Sequence, residues 1–203
     1  MELTMSWEHW LVLVSVGISL WGSFAYLRDM FAGTTKPNLV SWSLWALAPL
    51  IATGAAISSG ADAWGTARVF ISGFVPLLIF VFGLFIRQSY WKLTRFDFLC
   101  GVLSLIALEA WLIADAPILA IFLAVAADLL ACVPTLKKSF THPESETATV
   151  FLMGLISSLI TIPAIPVWNL DNATFQIYLF VINLILFGAV ALGKRQSRFG
   201  TES

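Results

Sequence analysis

Asp128 is the residue of this sequence with the most chemistry to offer. It stands near the middle of an apolar run, 117–136, where an ionised carboxylate costs roughly 2.5–3.5 kcal/mol on membrane-insertion scales. At about 100° per residue its own helical face carries Ala124, Ala131, Cys132 and Thr135, while the far side carries Leu119, Phe122, Leu123 and Leu130. Small residues around the carboxylate and bulky ones opposite turn Asp128 toward other helices rather than toward lipid. Its chemistry would be that of a proton acceptor, or of a ligand for a cationic or hydroxyl-bearing solute. The competing reading is a protonated carboxyl bonded to a neighbouring helix.

Asn183 lies at a similar depth in the last apolar run, and Gln176, seven residues earlier, shares its face. Amides at such places either line a solute pathway or join helices to one another. The second apolar run offers Trp42, Trp45 and Pro49, and the third offers Ser72. Trp42 reads as part of an interfacial aromatic belt. Trp45 reads either as belt or as a stacking platform for a planar or sugar-like solute. Pro49 removes a backbone hydrogen bond and marks a hinge. Glu109 and Arg68 fall at one outer level, where an ion pair would lower the insertion cost of both and could form an outer gate. Tyr26 and Pro134 each lie about one turn from the inner loops and are the candidates for an inner gate.

Other chemistries lack their parts. His9 and His142 fall at opposite membrane surfaces, which excludes a Cys–His or Ser–His nucleophile pair and an ordinary metal site. The last run has no lysine before Lys194, so no retinal Schiff base forms in its middle. No glycine-rich phosphate loop is present. An intramembrane enzyme would need a second catalytic group beside Asp128, and the sequence offers none.

The elements that must position these residues follow from composition. The chain has 203 residues, 59% hydrophobic and 11% charged, with a mean hydropathy of +0.89. A soluble domain is nearer 45–50% apolar and about 25% charged. A soluble enzyme and a disordered chain are therefore excluded, and a net charge of −1 leaves no broad basic face for nucleic acid. Seven apolar runs, near 9–27, 38–58, 67–86, 98–114, 117–136, 148–167 and 174–193, have lengths close to the roughly 20 residues needed to cross a bilayer. Of the eleven basic residues, ten fall in alternate connectors and only Arg68 on the other side. The positive-inside rule then puts the N-terminus outside and the C-terminus inside.

The runs also repeat. Gly83-Leu84-Phe85-Ile86-Arg87-Gln88-Ser89 precedes Ala191-Leu192-Gly193-Lys194-Arg195-Gln196-Ser197 by 108 residues, and Lys36-Pro37-Asn38 precedes His142-Pro143-Glu144 by 106. These matches divide the chain into a three-helix bundle (1–96), a linker helix (97–116) and a second bundle with a short tail (117–203). Parallel repeats of this kind are a transporter architecture.

Val133-Pro134-Thr135-Leu136-Lys137-Lys138-Ser139 resembles the Pro-Thr-x-x-Lys-Lys-Ser ending of a bundle helix in SWEET transporters, which belong to the wider PQ-loop (MtN3-like) superfamily. The layout resembles that family over the whole chain. Of the asparagine pair found in the third helix of each bundle, Asn183 is present, and Val75 occupies the equivalent earlier position. The resemblance implies an all-α integral membrane protein of the cell (inner or plasma) membrane, arranged three plus one plus three. It implies movement of a small polar solute (sugar-, vitamin- or cation-like) by alternating access, with Asp128 able to couple protons. The alternative is a ligand-binding receptor that does not transport. No cofactor, metal or nucleic acid is expected. The expected partners are the solute, the lipid bilayer and, where it self-associates, a second copy of the chain.

Overall fold

The computed structural model of the protein describes residues 6–58, 60, 63–86, 91–165 and 168–199. All seven apolar runs are helices: α1 (Trp7–Phe31), α2 (Leu39–Ser58), α3 (Ala63–Phe85), α4 (Arg95–Leu112), α5 (Pro117–Thr141), α6 (Ala148–Thr161) and α7 (Leu170–Phe199). No strand occurs among the described residues. Four of these helices are long and apolar enough to cross a membrane, over His9–Phe31, Leu39–Ser58, Ile118–Thr141 and Ala173–Gln196, and shorter apolar helices run over Val69–Phe85 and Ala148–Ala164. This is a helical membrane protein by composition and length.

Local sequence explains most of the boundaries. Gly33, at φ 74°, takes the left-handed turn that ends α1, and the N–H groups of Ala32 and Gly33 bond back to Arg28 and Met30. The side-chain oxygen of Asn38 caps α2 by accepting from the N–H groups of Val40 and Ser41. Thr94 and Asp97 cap α4 reciprocally. Pro117 sits at the first position of α5, where its missing N–H is harmless. The sixth helix is shorter than the run of 148–167 expected for it. Pro163 cannot continue an α-helix, and a 3-10 turn, Ile162–Ala164, replaces the last stretch.

The helices pack in a definite pattern. α3 lies against both α1 and α2, and α7 lies against both α5 and α6. Between these groups α1 packs on α6, and α2 packs on α5. α4 rests mainly on α5 and also touches α2. One buried core holds Tyr26, Met30, Trp42, Val75 and Ile79. A second holds Cys132, Phe151, Ile182, Leu186 and Val190. Trp45 and Val150 pack against both cores. The exposed faces are apolar, as with Leu119 and Phe122 on the side of α5 opposite Asp128.

Candidate functional site

Six helices, α1, α2, α3, α5, α6 and α7, enclose a cavity of about 310 Å³. It runs from Trp42 and Leu186 at one end to Thr161 and Phe175 at the other. The sequence-derived pathway residues Asp128, Asn183, Trp45, Ser72 and Gln176 all line it, as does Pro49. Val75, the counterpart of Asn183 in the first repeat, lines it too. Isolated polar groups in apolar runs point inward because water is the only alternative partner and lipid supplies none.

The polar groups of the cavity are bonded mostly within their own helices. Ser15 donates to the Val12 carbonyl, Ser23 to Ser19, Ser72 to Val69, and the Asn183 amide to Leu179. Such bonds satisfy the donors and leave hydroxyl and carbonyl lone pairs facing the cavity. Other bonds cross between helices. The Ser19 hydroxyl meets that of Ser157 at 3.0 Å, and Gln176 donates to the Ser158 carbonyl at 3.1 Å. Gln176 also bonds the Thr161 hydroxyl. Gly154 leaves the room that Asn183 occupies, since a Cβ there would meet the amide directly.

Asp128 has one hydrogen-bond partner among the described residues. The Tyr178 hydroxyl donates to its Oδ2 at 2.7 Å. Sequence reading passed over Tyr178, although a phenol in an apolar run needs a partner and Asp128 was the available acceptor. A second cavity of about 300 Å³, bordered by Ala48, Ala52, Ala124 and Ala127 and by Trp111 of α4, meets the first at Asp128, Ser72, Pro49 and Phe175.

Below the cavity lies a cluster that the sequence did not announce. Glu146, in the segment between α5 and α6, is fully buried and pairs with the buried Lys138 at 2.6 Å. Its second carboxylate oxygen accepts from the Tyr26 hydroxyl at 3.1 Å, and Tyr26 in turn accepts from the Trp42 indole at 3.2 Å. Lys138 also donates to the carbonyls of Lys36 and Ser145. Lys194 of α7 donates to the Glu146 carbonyl at 2.6 Å. The side chains of Thr35 and Thr147 bond across the same junction, and Thr147 donates to Asp29 at 2.9 Å. Charge-assisted bonds of this kind are the stronger ones, and here they join α1, α2, α5 and α7.

Tyr26 and Pro134, read from sequence as inner-gate residues, are both fully buried at this end. Trp42 departs from its expected place in an interfacial belt. It is buried, edge-on to Trp45, and forms the floor of the cavity above Tyr26. Depth along the helix suggested a belt, but hydrogen bonding to Tyr26 turns the ring inward. Glu109 is exposed on α4. The side chain of Arg68 lies outside the described residues, so the expected Arg68–Glu109 pair does too.

No protein-family model, curated protein or solved structure matches the chain.

Proposed function

We propose that this protein is a transporter of SWEET/PQ-loop type, which moves a small polar solute across the membrane by alternating access. The observation that carries the reading is the mostly apolar cavity between two groups of three helices, which holds Asp128 and a few other polar groups and has the Tyr26–Glu146–Lys138 cluster at one end.

The packing supports a three-plus-one-plus-three arrangement with seven spans. If α1 corresponds to α5 and α2 to α6, then the α1–α6 contact and the α2–α5 contact are the same contact made twice. The two cores correspond as well. Tyr26 and Cys132, Val75 and Ile182, and Ile79 and Leu186 lie 106 to 107 residues apart. Each half also seats a loop proline on a glycine of its third helix: Pro37 against Gly83, and Pro143 against Gly193. The core pairs come from packing and are independent of the sequence matches, whereas Pro37 and Pro143 belong to one of those matches and gain from packing a common seat on a glycine.

In this reading Asp128, Asn183, Trp45, Ser72 and Gln176 meet the solute. The buried cluster is the inner gate, with Tyr26 and Trp42 as its upper layer. Opening inward requires the α1–α2 and α5–α6 junctions to part, which breaks the Lys138 bond to the Lys36 carbonyl and the Tyr26 bond to Glu146. Pro49 and Pro134, both inside helices, give α2 and α5 places to bend.

Uptake of radiolabelled solutes into proteoliposomes, with and without a pH gradient, tests the proposal. Saturable uptake is expected, reduced about tenfold or more by Asp128→Asn while the variant's melting temperature stays near wild type. Binding without flux would make the protein a receptor. Flux that ignores Asp128→Asn and the gradient alike would remove the carboxylate from the pathway and end the proton-coupling idea.

A further inference from the structure

We infer that the solute is an organic ammonium ion with an apolar arm, its cationic head seated on Asp128. The inference rests on the transport reading for its site and goes beyond it in naming the charge and shape of the solute.

Asp128 is the charged residue of the cavity lining, and no lysine, arginine or histidine lines either cavity among the described residues. The nearest described basic group below the floor, Lys138, is committed to Glu146 and two carbonyls on the far side of Tyr26 and Trp42. An anionic solute would therefore meet a carboxylate and no compensating cation, an arrangement that burial makes strongly unfavourable. Tyr178 holds only Oδ2 of Asp128. The other oxygen, Oδ1, has no hydrogen bond from any described residue and belongs to a side chain that faces both cavities. A half-buried carboxylate between helices, with one oxygen unbonded and no cation beside it among the described residues, suits a cation supplied by the ligand.

The surroundings suit an ammonium head. Hydroxyls bonded to their own helix carbonyls, such as Ser15, Ser23 and Ser72, keep lone pairs to accept N–H donors. Trp42 and Trp45 bring indole rings to the same cavity, and indole faces attract cations. The second cavity supplies what a bare metal ion or a small polar amine would not need. Ala48, Ala52, Ala124 and Ala127 make a mostly apolar chamber that opens to the first at Asp128. A solute with its ammonium on Oδ1 could place an alkyl or aromatic arm there.

Two matched sets of probes test this with the full chain in nanodiscs: phenethylamine, 2-phenylethanol and phenylacetate; and hexylamine, 1-hexanol and hexanoate. Each set holds shape nearly constant and varies charge. At saturating concentration an amine is expected to raise the melting temperature by roughly 2–4 °C, and its alcohol and carboxylate to leave it unchanged. Asp128→Asn should weaken amine binding by at least about tenfold. The charge preference is read on the wild type alone, so the test stands even where the variant fails to fold. Equal shifts from alcohol and amine, a preference for a carboxylate, or no shift from any probe would overturn the inference. So would amine binding unchanged in a folded Asp128→Asn variant. Proteoliposome flux separates the two proposals. Saturable uptake of a neutral solute with no amine binding would sink the ammonium and leave transport standing. Amine binding without flux would do the reverse.

Discussion

The cavity and the cluster beneath it both carry polar groups inside an apolar bundle, and they are built in opposite ways. In the cavity, side chains bond to carbonyls three or four residues back on their own helices, as Ser15, Ser23, Ser72 and Asn183 do. In the cluster, bonds join residues far apart in sequence: Tyr26 to Glu146, Lys138 to Lys36, Thr35 to Thr147. The charge at the centre of the cluster is balanced, with Lys138 against Glu146. The carboxylate in the cavity accepts from a phenol at one oxygen and from no described residue at the other. Local bonding keeps each helix intact while leaving its polar face free for a ligand. Long-range bonding holds helices together and has no capacity left for one. On the transport reading proposed above, the first is the construction of a working surface, the second of a closure.

Stability measurements should separate the two regions. Glu146→Ala leaves the Lys138 ammonium buried without its counter-ion, and a loss of about 3–5 kcal/mol is expected in unfolding from detergent micelles. A loss under about 1 kcal/mol would mean that the cluster is wet and does not close the molecule. The packing beneath the cluster comes next. A Cβ on Gly193 would lie 2.7 Å from the Cβ of Pro143, so Gly193→Ala should cost about 1–3 kcal/mol. Gly17, with nothing within 4 Å of the equivalent position, should accept alanine at no cost or gain up to about 1 kcal/mol. Equal effects at both glycines would break the idea that each loop proline docks on its helix. Trp42→Phe keeps an aromatic ring but deletes the hydrogen bond to Tyr26 and leaves a small void, which should cost about 1–2 kcal/mol. A neutral outcome would return Trp42 to the role of filler at the cavity floor.

Much of the cavity was legible in the sequence, and almost none of the closure. Asp128, Asn183, Gln176 and Ser72 stand out because an apolar run makes a polar residue conspicuous, and period 3.6 fixes which face it shares. The small residues around Asp128 then gave its direction: Cys132 and Thr135 are fully buried, while Leu119 and Phe122 face outward. Glu146 carries no such signal. It lies among Glu144, Ser145 and Thr147, beside a proline, in a stretch that reads as a solvated connector. Only the fold brings that connector under the bundle, where Tyr26, 120 residues earlier, awaits it. Lys138 was visible as one of the basic residues that set orientation and as part of the Pro-Thr-x-x-Lys-Lys-Ser stretch, but not as a buried ion, because sequence reports which end of a helix a charge occupies and not whether it is covered. Trp42 was misplaced for a related reason. Aromatic belts are a matter of depth, and depth does not say which way a ring turns. The shortening of α6 was readable in principle, since Pro163 sits inside the run assigned to it.

The central claim is that the cluster opens and closes. Spin labels at Thr34→Cys and Glu144→Cys, both exposed beside the closure, report its width when the buried Cys100 and Cys132 are replaced by alanine. Pulsed electron–electron double resonance in nanodiscs should show two distance populations, the longer one enriched when Glu146→Gln weakens the bond that Tyr26 makes across the two junctions. A single narrow distance, unmoved by Glu146→Gln in a folded protein, would contradict the account.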